Sequence, residues 1–162
     1  MLDITERKRS EEDLWRFRAA LDSCTDNIFL IDYNRRRFID MNTTACRDLG
    51  YTRSELLKMG PQDIKPQISE EELYKRFDDI ISGRDQDGII STVHKRKDGS
   101  VFPAEVYVQS LKTDDNILLI ALARDITEQK KAREALEFTQ FAIDCAAMSI
   151  FCINEQIGRA HV

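Results

Sequence analysis

The feature that most constrains this chain is an internal repeat. The run Asp125-Ile126-Thr127-Glu128-Gln129-Lys130-Lys131 nearly duplicates Asp3-Ile4-Thr5-Glu6-Arg7-Lys8-Arg9, at an offset of 125 − 3 = 122 residues. The match continues without a gap, since Leu14 falls on Leu136, Ala20 on Ala142, Asp22 on Asp144 and Ile28-Phe29 on Ile150-Phe151. A period of that length is one small domain. The 162 residues therefore hold one complete unit and the opening of another. In both copies an Asp followed three residues later by Glu, ahead of a charged amphipathic run, reads as a helix start with a capping box. Each unit is expected to end where an apolar strand stops and a polar helix begins.

Charged residues make up 33% of the chain and alternate in blocks with apolar runs, which is the composition of a folded domain and not of a disordered tail. A net charge of −5 argues against sequence-independent binding to nucleic acid, and Lys95-Arg96-Lys97 reads as the solvated end of a hairpin. The longest uninterrupted apolar run, residues 117–123, is too short to cross a bilayer, so no membrane segment and a cytoplasmic location are expected. Cys24, Cys46, Cys145 and Cys152 have no metal-ligand spacing and are expected to be buried free thiols.

Along the chain, residues 6–23 carry Leu14, Phe17 and Leu21 on one narrow helical stripe that needs a covering partner. Residues 28–33 and 37–41 read as a strand pair joined by Asn34-Arg35-Arg36, with Asn34 suited to positive φ. Asn42 can cap a short helix ended by Gly50, and Thr52-Arg53-Ser54-Glu55 is a second capping box. Gly60-Pro61 and Lys65-Pro66 interrupt the helical segments, and Ser69 to Glu72 is a third capping box opening a longer helix with Leu73, Phe77, Ile80 and Ile81 on one face. Three strands follow, residues 89–97, 101–111 and 117–124, with Asp98-Gly99 as the first turn. Phe102, Ala104, Val106 and Val108 share the inward face of the middle strand, whereas the last strand is apolar on both faces and calls for cover on both.

Two strands, a helical excursion and a three-stranded meander describe an α+β domain with a five-stranded antiparallel sheet. At this point the residues resemble the PAS family. The motifs are Ile28-Phe29-Leu30-Ile31-Asp32, Asn42 after the second strand, Leu49-Gly50-Tyr51-Thr52 with Glu55-Leu56-Leu57, Arg96-Lys97-Asp98-Gly99-Ser100 with Phe102-Pro103, and the closing Ala123-Arg124-Asp125-Ile126-Thr127. The resemblance implies short helices packed on the concave sheet face and amphipathic linker helices on either side. It divides the chain into an incoming connector (1–22), a complete PAS domain (23–127), a connector helix (128–144), the truncated start of a second PAS domain (145–156) and a tail (157–162). That tail reads as translated sequencing adapter, so His161 is given no functional weight.

No nucleophile-and-base pair, phosphate loop or kinase phosphoacceptor box is found, so the piece is expected not to be an enzyme and any output domain is expected further along the native polypeptide. Adjacent Asp78 and Asp79 point apart on a helix and do not form an acid/base pair. Haem and flavin are disfavoured: residues 69–88 contain no His, His94 reads as a partly exposed strand residue, and no Asn-Cys-Arg run follows the second short helix. Alternation and resemblance together give a pocket of unknown ligand lined by Phe38, Met41, Leu56, Phe77, Ile90, Phe102, Ala104 and Val106, with Tyr51 and Gln62 as polar contributors. The alternative is a core packed by those same residues with no ligand. The resemblance also implies a sensory module of a bacterial histidine kinase or diguanylate cyclase. Such a module dimerises through Leu14, Phe17 and Leu21 of the connector and relays its state through Asp125, Ile126, Thr127 and Glu128.

Overall fold

In the computed structural model, which describes residues 4–160, the chain forms two compact units that divide after Asp125. Asp3 of the first repeat copy and His161-Val162 of the tail lie outside the described residues.

The first unit opens with helix α1 (Ile4–Ser23), followed by β1 (Asn27–Asp32) and β2 (Arg37–Met41). Helices α2 (Thr43–Leu49) and α3 (Arg53–Leu56), a 3-10 turn over Pro61–Ile64 and α4 (Glu70–Ile81) come next. The unit closes with β3 (Ile89–Lys95), β4 (Val101–Lys112) and β5 (Ile117–Asp125). The five strands form one antiparallel sheet in the order β2-β1-β5-β4-β3. The last strand in sequence is thus the middle one in space. This closure brings the chain's exit against its first strand, with Asn27 opposite Ala123 and Asp32 opposite Leu118.

Local chemistry explains most boundaries. Asn42 caps α2 by accepting from the Ala45 N–H, and Gly50 ends that helix in the left-handed region (φ 76°), where a side chain would be strained. Thr52 and Glu55 exchange both bonds of a capping box. At α4 the box is half made: Ser69 accepts from the Glu72 N–H, but the Glu72 carboxylate turns to Arg76 at 3.3 Å, one helical turn on. In the β1–β2 turn it is Arg36 and not Asn34 that takes positive φ (56°), while the Asn34 amide donates to Asn116 Oδ1 at 2.8 Å. Asp78 and Asp79 diverge, Asp78 accepting from the Tyr33 hydroxyl and Asp79 pairing with Arg84.

The core lies between the concave sheet face and α2 to α4. Phe29, Ile31, Phe38, Ile90, Phe102, Ala104, Val106, Val108, Leu119, Ala121 and Ala123 point into it from the strands, and Leu49, Leu56, Ile64, Leu73 and Phe77 close it from the helical side. The outward residues of the same strands, among them Ile28, Leu30, Leu118 and Ile120, stay partly or fully exposed. Leu14 and Phe17 of α1 are 63% and 61% exposed, so the cover their stripe requires is not supplied within this unit. Cys24 is likewise exposed and Cys46 half-buried, contrary to the expectation of buried thiols, because Cys24 sits just past the last turn of α1 and not on a strand.

The second unit is one helix, α5 (Thr127–Ala160), solvent-facing along nearly its whole length. The repeat predicts a strand at Ile150-Phe151, and the structure instead carries the helix through them. A lone strand has no neighbour to take its backbone N–H and C=O groups, whereas a helix satisfies them internally. Contrary to the expectation of no membrane segment, α5 is long and apolar enough to cross a bilayer by length and composition alone, although Gln140 and Asp144 interrupt its apolar residues. The repeat accounts for that apolarity, since these residues match the apolar opening of the first unit. Cys145 and Cys152 are exposed on this helix.

Candidate functional site

The interior expected to hold a ligand is nearly full. A cavity within it has a volume of about 10 Å³ and is bordered by Phe29, Ile31, Phe38, Pro61, Ile64, Lys65, Phe77, Ile90, His94, Val106, Val108 and Ala121. That is room for about one water-sized group. Of the expected lining, Phe38, Phe77, Ile90 and Val106 border it. Leu56, Phe102 and Ala104 are buried in the surrounding core, and Met41 is buried but borders the groove on the other side of the sheet. Tyr51 is half-buried beneath Lys97, 6.0 Å from its ring. Gln62 does not border the cavity; it donates to the Arg36 carbonyl at 3.3 Å and accepts from the Tyr74 hydroxyl at 3.5 Å.

Two residues that sequence reasoning did not place here are the polar centre of the cavity. His94 is fully buried and Lys65 is 4% exposed, and Lys65 Nζ lies 2.6 Å from His94 Nε2. His94 is therefore not the partly exposed strand residue expected. Alternation supplied the missing signal: on β3, Ile90, Thr92 and His94 share one face, and Ile90 is in the core. Lys65 had no such signal, since it lies between the 3-10 turn and Pro66 on a segment without periodicity. Burial pulls the Lys65 amine down to about 7. Burial first, and the neighbouring Lys65 second, hold the His94 imidazole well below its ordinary value. His94 is thus neutral, and Lys65 Nζ is the hydrogen-bond partner of its Nε2. His94 Nδ1 and Thr92 Oγ1 are buried without a partner. The His94 ring also meets the Phe102 ring edge-on at 5.6 Å.

At the exit, Asp125 ends β5 and α5 begins two residues later at Thr127. Arg96, at the β3–β4 hairpin, reaches toward Asp125 (Nη2 to Oδ2, 3.8 Å), donates from Nε to the Asp48 carbonyl at 2.9 Å, and lies over the Phe102 ring at 4.2 Å. Lys95-Arg96-Lys97 is therefore more than a solvated hairpin end. Through Arg96 it ties the end of the middle strand to the end of α2 and to the core.

At the entrance, α1 is fastened to the sheet by side chains. Asn42 donates to the carbonyls of Leu21 and Asp26 and accepts from the Ile28 N–H, each at 3.0 Å. Asp22 accepts from the Thr43 N–H at 2.7 Å, and Arg18 pairs with Asp40 at 2.9 Å. Phe17 and Leu21 then border a groove of about 330 Å³ against Ile28, Leu30, Leu118 and Ile120 on the outer sheet face.

This arrangement of elements is shared with known proteins. A family model described as "PAS domain" matches residues 25–128. A methyl sulfide methyltransferase-associated sensor of Methanosarcina acetivorans is 27% identical over 120 residues, covering 74% of this chain and 12% of that protein. The sensor histidine kinase TmoS of Ectopseudomonas mendocina is 24% identical over 127 residues, covering 77% of this chain and 13% of that protein. The chain thus spans about an eighth of the length of these relatives. Among solved structures, the PAS domain of an HTR-like protein from Haloarcula marismortui superposes with a TM-score of 0.66 at 25% identity, covering 76% of this chain and all of that one. With more than half of its length matched by the family model and the same five-stranded sheet, the chain belongs to the PAS domain family.

Proposed function

We propose that this chain is a sensory and relay module of a bacterial signal-transduction protein, with its output, a histidine kinase or diguanylate cyclase, elsewhere in the native polypeptide and a cytoplasmic location. One observation carries the reading. The strand that lines the interior through Leu119, Ala121 and Ala123 is the central strand of the sheet and is also the one that leads, through Asp125, into the outgoing helix. A change in the core therefore displaces β5, and Asp125, Ile126, Thr127 and Glu128 pass that displacement to α5 as a change of rotation or register. The similarity to two sensors supports the sensory half of this reading. The module works as a homodimer through the stripe Leu14, Phe17 and Leu21 of α1: Leu14 and Phe17 lack cover within the unit and Leu21 is half-buried, and a second copy supplies the cover.

The test fuses residues 4–144 ahead of a histidine-kinase catalytic core and measures autophosphorylation as residues are inserted one at a time in α5. A seven-residue periodicity is expected in the wild type, and Asp125→Ala is expected to flatten it while leaving the circular dichroism spectrum unchanged. Undiminished periodicity in Asp125→Ala would sink the relay. A second reading, a dimerising spacer with a filled core and no ligand, is favoured by the small size of the cavity. It predicts the same periodicity with no response to any added small molecule.

A further inference from the structure

The cavity's chemistry deepens the sensory reading, on which the following rests. Lys65 Nζ lies 2.6 Å from His94 Nε2 and, in its charged form, offers three donors. No carboxylate lies within ion-pair distance of Lys65 among the described residues. With Lys65 charged, Nε2 can only accept from it, so the proton of the neutral imidazole sits on Nδ1, which is buried and has no hydrogen-bond partner. Thr92 Oγ1, on the same face of β3 but not bordering the cavity, is a second buried polar atom without a partner. The neighbours bordering the cavity, such as Ile64, Phe77, Ile90 and Val106, are apolar and supply no acceptor. Leaving donors unmade in a core is costly, and a buried ammonium without a counter-charge is costlier still. With Lys65 charged, the Lys65–His94 pair lacks acceptors and a negative charge.

We propose that Lys65 and His94 form the recognition site for a small carboxylate, its oxygens accepting from the Lys65 ammonium and the His94 Nδ1–H. A charge-assisted bond to Lys65 answers the acceptor deficit, and the anion returns the amine, drawn down to about 7 by burial, to its charged form. The cavity of about 10 Å³ sets the size. One- and two-carbon carboxylates ask for the least displacement of the Pro61–Ile64 turn and of Phe77 on α4, and that displacement is what the sheet would report. Larger acids clash with the same aromatic and aliphatic wall.

Sodium formate and sodium acetate are the probes, titrated into the isotopically labelled chain at constant ionic strength, with sodium chloride as the control. The observables are the His94 imidazole nitrogen resonances, the Lys65 Nζ resonance and the backbone amides of β3. A saturable response at His94 and Lys65 is expected with formate or acetate and not with chloride, and it is expected to be at least tenfold weaker in Lys65→Met. The absence of a saturable wild-type response, a response matched by chloride, or one undiminished in Lys65→Met would overturn the assignment. The wild-type titration decides alone if Lys65→Met fails to fold. Linker periodicity in the kinase fusion is measured without added carboxylate. The relay and the ligand class can therefore fail separately.

Discussion

The two faces of the sheet are built from the same strands and end in opposite states. On β5, Leu119, Ala121 and Ala123 are buried against the helices, while the interleaved Leu118, Ile120 and Leu122 are at best half-covered. On β1, Phe29 and Ile31 are sealed, while Ile28 and Leu30 border an open groove beside α1. Strand alternation explains why the two sets separate, but not why both are apolar. An apolar face that a domain leaves open is a surface for something else, whereas a sealed face that contains a lysine and a histidine is a site with an internal conflict. The inner face is where this module can be perturbed, and the outer face is where it can be joined to a second copy.

Substitutions on neighbouring residues of β5 break or confirm this contrast most forcefully. Leu119→Ala removes a fully buried side chain from the middle strand and is expected to cost about 3 kcal/mol in chemical denaturation. Ile120→Ala, one residue on and facing out, is expected to change the unfolding free energy of the monomer by less than about 0.5 kcal/mol. Equal losses would mean that the outer face is covered within a single chain.

The conflict inside the core gives the next effect. The Lys65 amine has a folded-state value of about 7 against an ordinary 10.5, so between those limits the unfolded chain holds a proton that the folded chain has released. Stability therefore rises with pH across that window, by at most about 1.4 kcal/mol per pH unit from this group, and is lost as pH falls toward 7. Lys65→Met deletes the term. The wild type should gain on the variant from about pH 7 to pH 10 in denaturant titrations, and parallel curves would show that the amine is solvated. His94 is the titratable side chain in direct contact, and its own lowered value keeps it neutral throughout that window.

The smallest effect on folding falls on the outer side. Phe17→Glu on α1 is expected to shift the monomer's unfolding free energy by less than about 0.5 kcal/mol, because the ring is 61% exposed. In sedimentation equilibrium the same change is expected to move the chain from dimer toward monomer. Unaltered self-association would remove α1 from the dimer contact.

The contrast also shows what the sequence made legible. Strand parity on β4 identifies Phe102, Ala104, Val106 and Val108 as inward, and all four are buried. The capping box at Thr52 and the αL end at Gly50 follow from residues within four positions of each other, and both are present. What could not be read depended on partners distant in sequence. Glu72 had a choice between the Ser69 N–H and Arg76, and the ion pair along the helix took it. Lys65 meets His94 across 29 residues of chain, and no periodicity connects a loop to a strand. Arg96 reads as one charge in a basic cluster until the fold brings it to Asp48, Phe102 and Asp125. The repeat places a strand at Ile150-Phe151, whereas α5 runs through both residues, because strand formation requires neighbouring strands that residues 145–156 do not have. Hydrogen-bonding context, and not local propensity, decided Ile150 and Phe151.

The central claim is that the interior and the outgoing helix are coupled through the end of β5. A double-mutant cycle in the kinase fusion tests it most directly, with Ala121→Leu overpacking the buried face of β5, Asp125→Ala cutting the exit, and autophosphorylation rate as the readout. Coupling predicts that Ala121→Leu shifts the rate in the Asp125 background and does nothing further once Asp125 is alanine. Additive effects of the two substitutions would contradict it.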